Sequence, residues 1–270
     1  MVHNIHPTAI ISPGAELGDN VEVGPNAFIE DGVRIGDGAR IGPMVHIQGA
    51  TEIGPECVIY TGASLGLPPQ YIGFKGEPTR LVIGARTTIR EYASINRALT
   101  MDGATVLGDD CFIMGFVHIA HDCRLGNGVI IANNTGMAGH VEIGDRAFLS
   151  GHSVIHQHVR IGRLVMVSAI SRLGQDVPPF MIISGYDAVL FGLNTVGLRR
   201  AGITSEARSE LKGLLRRIYR RDMTRTEALA RIELDELCPE GREMIEFIKA
   251  SKRGVAPYLG EVEKHRPEAG

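Results

Sequence analysis

The chain has no tryptophan, and aromatic residues make up only 5% of it. Large aromatic side chains dominate many globular cores, so their scarcity here points to a core built some other way. Four cysteines at no metal-ligand spacing exclude a zinc knuckle or a disulfide framework. A net charge of −3 gives no reason to expect nucleic acid as a partner. No apolar run approaches the roughly 20 residues a membrane helix needs. The opening MVHNIHPTAII lacks a basic stretch followed by a long apolar one, so no secretion signal is expected and a cytoplasmic protein is. Glycine, by contrast, is abundant, at 34 of 270 residues. Few aromatics and many glycines suggest a repetitive backbone.

The repeat is six residues long. A branched aliphatic stands at every sixth position from Ile11 through Leu17, Val23, Ile29, Ile35, Ile41, Ile47, Ile53 and Ile59 to Leu65. The series resumes in the same phase at Ile83, Ile89 and Ile95, and again from Leu107 to Leu173, with Met137 its one unbranched member. Four residues after each of the first nine comes a small or β-branched residue, from Ala15 to Ala63. Neither the strand period of 2 nor the helix period of 3.6 is primary. Hexads fit a parallel β-helix, three to a triangular coil, with aliphatic and small residues inward and glycine or a polar residue at the corner. Nine or so coils, each about 4.8 Å deep, would make a prism roughly 45 Å tall.

Residues 66–80 and 98–104 break the pattern without changing its phase, as loops that leave the prism and return would. Beyond Pro178-Pro179 the hexads stop, and from about Ser205 three stretches read as helices, with a possible capping box at Thr224 and Glu227. The expected organisation is a β-helix over 1–190 and a helical domain over 191–270.

Phase also assigns direction. Cys57, Cys111 and Cys123 fall on the inward small position and read as buried thiols. His118, His121, Asp122, His140, His152, His156 and His158 all point outward or lie at corners. Three readings compete: a solvated surface, a metal site from spacings such as His118-x2-His121 and His152-x3-His156-x-His158, and acid–base catalysis by the adjacent pair His121-Asp122. Strand neighbours face opposite ways, so that pair converges only at a corner.

The motifs HIAHDC (118–123), IIANN (130–134), AGH (138–140), IHQ (155–157), QDVPP (175–179) and FGLN (191–194), with GEPTR (76–80) upstream, resemble the UDP-N-acetylglucosamine O-acyltransferase family over essentially the whole chain. The resemblance implies a left-handed parallel β-helix of hexapeptide repeats with a C-terminal α-helical domain. It also implies a homotrimer with its active sites between subunits. The implied reaction moves an R-3-hydroxyacyl group from acyl carrier protein to the 3-position of UDP-N-acetylglucosamine, the first step of lipid A biosynthesis. No metal or cofactor is implied beyond the carrier's phosphopantetheine thioester.

Residue by residue, the resemblance makes His121 the general base, Asp122 its orienting carboxylate and the Gly139 amide the oxyanion donor. His118, His140, His156 and Gln157 would contact the sugar nucleotide or line the cleft, and Gln70 would cover the acceptor. Asn194 and Arg200 would lie near the nucleotide and carrier arm, and Ala169 would set acyl length as the floor of the acyl channel. Gly73, Asp187, Val196 and Ala201 depart from the family pattern where a lysine, a histidine, a glutamate and an arginine are expected. These departures leave the 3-amino analogue of the sugar nucleotide as an alternative acceptor. Other rivals are a γ-type carbonic anhydrase on the same fold, a later N-acylating enzyme of the pathway, and a non-catalytic scaffold. The arginines at 216, 217, 220 and 221 form a basic helical face that would suit the acidic carrier protein.

Overall fold

In the computed structural model, which describes residues 4–219, 222–232 and 236–259, the hexads wind into a three-walled prism. Strands of mostly two residues stack into sheets of 11, 9 and 8 strands, here called the first, second and third faces in the order the chain visits them. Nearly all pairing is parallel, and an uninterrupted coil returns after 18 residues, as in Leu125↔Ile143. The final strand, Val189–Leu193, is the exception and runs antiparallel to Met181–Ser184 in the first face.

Burial follows the six-residue period. From Val23 to Leu173 the aliphatic positions are no more than 4% exposed, and the small positions between them close the remaining space. Each such side chain contributes about 1.5–3 kcal/mol of transfer free energy. Ile11 and Leu17, in the first described coil, are only partly buried. Hydroxyls at small positions bond to the wall itself: Thr87 Oγ1 donates to the Gly108 carbonyl at 3.0 Å and Ser171 Oγ to the Ser168 carbonyl at 2.7 Å. Cys57, Cys111 and Cys123 are buried free thiols, and burial pushes Cys57 up to about 11 and Cys123 up to about 12, so neither is a nucleophile.

The corners are less glycine-dependent than the repeat suggests. Left-handed φ values near +55 to +60° recur at Met44, Tyr92, Phe116, Leu164 and Ile170. Such a backbone costs a non-glycine residue roughly 1–2 kcal/mol. A hydrogen bond to the neighbouring coil accompanies it, as in Met44 N–H to Pro25 O at 2.9 Å.

Both excursions leave from the same edge, between the second and third faces. The first runs over 68–79, between Ser64–Leu67 and Arg80–Ile83, and the second over 97–103, between Ser94–Asn96 and Ala104–Leu107. After Leu193 come four helices, α1 (Thr195–Arg200), α2 (Ser205–Ile218), α3 (Arg225–Ile232) and α4 (Pro239–Lys249). Helix α2 begins at Ser205, as expected, and is capped by Thr204, whose hydroxyl accepts from the Ala207 N–H. Thr224 and Glu227 form a reciprocal capping box, with bonds of 2.8 and 3.2 Å. Arg220 and Arg221 lie outside the described residues. Helix α4 is tied to the third face by the Arg163–Glu243 ion pair at 2.8 Å and by the Arg160 guanidinium over the Phe247 ring. Among the described residues no helix is long and apolar enough to cross a membrane.

Candidate active site

On the edge between the second and third faces, successive coils place Asp122, His140 and His158 at one corner position, each with φ of +60 or +61°. The left-handed turn at Asp122 resolves the problem of strand alternation. It swings the carboxylate back onto its own neighbour, and Asp122 Oδ2 lies 2.8 Å from His121 Nδ1. A carboxylate only accepts, so Nδ1 carries a proton, and in the neutral imidazole Nε2 keeps its lone pair.

Asp122 is held from three sides. The second excursion donates the Leu99 N–H to Oδ2 at 2.9 Å and the Thr100 N–H to Oδ1 at 3.2 Å. The Asp122 N–H in turn donates to Thr105 Oγ1 at 2.8 Å. Burial alone would raise the carboxyl group's pKa, but the bonds from Leu99, His121 and Thr100 outweigh it and hold the pKa below the ordinary carboxylate range. The side chain is 9% exposed and remains an anion beside the histidine.

The His121 ring lies over Gly139 in the next coil. A Cβ there would overlap the imidazole, 2.7 Å from Nε2, so only glycine permits this approach. Among the described residues no acceptor takes the Gly139 N–H, while its carbonyl accepts from the His158 N–H at 3.0 Å. His140 meets His121 edge to face at 5.3 Å between ring centroids, and its Nε2 is 3.8 Å from Asp122 Oδ2. Burial lowers the His140 pKa, with Asp122 opposing and His158 and His121 adding to the lowering. His118 sits outward in the strand His118–Ile119, and burial lowers its pKa as well.

His156 and Gln157 follow on the same edge, both exposed. Gln70 lies exposed in the first excursion, and Gly73 is packed against the Tyr71 ring. Asn194 and Arg200 are elsewhere. Asn194 caps α1, accepting from the Gly197 N–H at 2.9 Å and donating to the Leu164 carbonyl at 2.9 Å. With Arg200 and Val196 it lines a groove of about 870 Å³ that also takes in Ile130, Phe148 and Met166 of the first face. Ala169 is exposed at the corner between the first and second faces. One chain therefore assembles His121, Asp122, Gly139 and His140, and leaves Asn194, Arg200 and Ala169 on other edges. Asp187 is exposed in the turn between the last two strands, and Ala201 caps the C-terminus of α1.

Two contacts at this edge were not expected from the sequence. His158 stacks on His140 with centroids 4.5 Å apart and planes within 11°. Arg253, beyond α4, reaches His156, with Nη2 3.2 Å from Nδ1. His121, Asp122 and His140 have donor atoms within 4.8 Å of one another, the spacing of a loose cation cage. His121 Nδ1 and Asp122 Oδ2 are already bonded to each other, and an ion held by both would have to part them.

Comparison with known proteins settles the lineage. A family profile described as "Udp N-acetylglucosamine O-acyltransferase; Domain 2" matches residues 176–256, and one described as bacterial transferase hexapeptide matches 32–66 and 104–139. The chain is 48% identical over 257 residues to the acyl-[acyl-carrier-protein]–UDP-N-acetylglucosamine O-acyltransferase of Thermodesulfovibrio yellowstonii, covering 94% of this chain and 99% of that one. To the enzyme of the same name from Paraburkholderia xenovorans it is 50% identical over 259 residues, 93% of this chain and 98% of that one. The chain belongs to the UDP-N-acetylglucosamine O-acyltransferase family. The solved UDP-N-acetylglucosamine acyltransferase of Campylobacter jejuni superposes with a TM-score of 0.89 at 37% identity, covering 94% of this chain and all of that one. The prism is thus the left-handed parallel β-helix of this acyltransferase family, and neither a carbonic anhydrase nor a scaffold reading is favoured.

Proposed function

We propose that the chain transfers a 3-hydroxyacyl group from acyl carrier protein to the 3-hydroxyl of UDP-N-acetylglucosamine, the first step of lipid A biosynthesis, in the cytoplasm. The observation that carries this reading is the His121–Asp122 pair at 2.8 Å, set over a glycine whose N–H has no acceptor among the described residues.

A sugar hydroxyl attacks a thioester slowly unless a base takes its proton as the bond forms, and a positioned base contributes about 10²–10⁴-fold. His121 Nε2 is suited to be that base, and the Asp122 carboxylate stabilises the imidazolium that results. As the hydroxyl oxygen bonds to the acyl carbon, the thioester oxygen becomes an oxyanion, for which the Gly139 N–H is the available donor. The tetrahedral intermediate collapses, the carbon–sulfur bond breaks, and the proton on His121 passes to the departing pantetheine thiolate. The products are the 3-O-acyl sugar nucleotide and carrier protein with a free thiol. No other cofactor enters this sequence.

The division of the remaining residues supports a homotrimer. His140, His156 and Gln157 share the edge with His121, and with His118 on the second face and Gln70 in the first excursion they would hold the acceptor. Asn194 and Arg200 would reach the nucleotide from a neighbouring subunit, where the guanidinium suits a phosphate. Ala169 would limit acyl length.

The test is acyl transfer from a panel of 3-hydroxyacyl carrier proteins to UDP-N-acetylglucosamine and to its 3-amino analogue. His121→Ala should lower kcat/KM by about 10²-fold or more while leaving the thermal midpoint within a few degrees. A wild-type protein that turns over none of these pairs would overturn the assignment.

A further inference from the structure

The ring nitrogens of His156 have two incompatible hydrogen-bonding options. Nδ1 lies 3.2 Å from Arg253 Nη2 and 3.3 Å from the carbonyl of Gln157. A guanidinium only donates, so the first contact requires Nδ1 to be bare; a carbonyl only accepts, so the second requires Nδ1 to carry the proton. The two cannot form together, and the one that forms decides which nitrogen faces outward as a donor.

Arg253 is not a loose surface side chain. Its Nε and Nη2 both donate to the Gly174 carbonyl, at 3.3 and 2.9 Å. The segment that carries it is stitched to the last coil of the prism. Asp176 N–H donates to Gly254 O at 3.0 Å, Ala256 N–H to Asp176 O at 2.9 Å, and Ser251 Oγ to Asp176 Oδ2 at 2.7 Å. Asp176 itself is 1% exposed and also accepts the Arg160 N–H at 2.9 Å. The guanidinium is therefore fixed beside His156 by a chain segment 97 residues downstream.

We infer that Arg253 is a positioning residue that sets the His156 tautomer: it donates into Nδ1, so that Nε2–H points into the cleft as a hydrogen-bond donor to an acceptor oxygen of the sugar nucleotide. Without Arg253, Nδ1–H turns to the Gln157 carbonyl and Nε2 becomes an acceptor, which repels the same oxygen. The helical region thereby tunes the acceptor side of the site without touching substrate. The part played by the sugar nucleotide rests on the proposed function; the tautomer does not.

Nitrogen-15 histidine spectra of the full chain decide the tautomer directly. The expected result is a bare Nδ1 and a protonated Nε2 at His156 in the wild type, reversed in Arg253→Met and retained in Arg253→Lys. Steady-state kinetics should show KM for UDP-N-acetylglucosamine raised about 3- to 10-fold in Arg253→Met with kcat within twofold, the size of one neutral hydrogen bond, and rescued in Arg253→Lys. If Arg253→Met does not fold, His156→Gln, whose amide can donate from the Nε2 position, should bind the acceptor better than His156→Asn, which mimics Nδ1. A protonated Nδ1 in the wild type, or an unchanged tautomer in Arg253→Met, overturns the inference. Loss of all turnover in the wild type would instead remove the proposed function and leave the tautomer result standing.

Discussion

Two edges of the prism share one backbone and do opposite things with it. Two residues after an inward aliphatic the chain turns a corner and, where that residue is not proline, presents an N–H outward. On the edge between the third and first faces that N–H is capped by the coil below: Ala85 donates to Asp109 Oδ1, Asp109 to Asn127 Oδ1, and Asn127 to Asp145 Oδ1, each at 2.8 Å. On the edge between the second and third faces the same position holds His121, Gly139 and Gln157, and among the described residues no side chain closes the Gly139 N–H. One edge spends its polar side chains on the wall, while the other leaves backbone and imidazole turned outward.

That contrast can be broken from either side. After the loss of His121 itself, the largest effect is expected at Gly139→Ala, where the added methyl overlaps the His121 ring and displaces either the base or the amide; kcat should fall about 10- to 100-fold, read in the transfer assay against an unchanged unfolding midpoint. Asn127→Ala, on the closed edge, leaves the exposed Asp109 N–H to solvent and should cost about 0.5–1 kcal/mol in denaturant unfolding with kcat untouched. A kinetic effect there would erase the distinction between the edges.

A subtler prediction concerns acid. The Asp122 pKa is depressed in the folded chain, so its stabilising contribution is present above the unfolded carboxylate pKa near 4 and is lost as pH falls through the folded value. Hydrogen exchange at the Leu99 and Thr100 amides should therefore stay protected through pH 5 and open at lower pH, and Asp122→Ala should open it at every pH. Smallest of all, His158→Ala should raise KM for the acceptor about 2- to 5-fold by freeing the His140 ring, with His158→Phe restoring the stack and most of the affinity.

The wall of the prism was readable because its period is a covalent repeat: every inward position from Val23 to Leu173 follows from counting. The edge was readable only in outline. That His121 and Asp122 converge depends on a left-handed turn at Asp122, a conformation the residue name permits but does not announce. The Asp122 cradle needs the loop amides 22 and 23 residues upstream, and the Arg253 contact spans 97 residues; neither lies within any motif. Helix α1 escaped notice because six residues containing Val196 and Gly197 carry little helix propensity; the Asn194 cap and the buried Leu198 hold it. In the sequence His158 is only one more outward histidine, because its partner ring is a full coil away.

The two excursions differ in length by a telling amount. Ile53 pairs with Ile83, 12 residues more than the 18 of a plain coil, and Ile83 with Leu107, 6 more. A loop of any length could close the ring, but only whole hexads leave the written pattern of the sequence in step on both sides. Duplication of one or two repeat units is enough to supply such loops, with no compensating change elsewhere in the gene. The segment that cradles Asp122 could thus begin as a spare piece of wall that failed to stack.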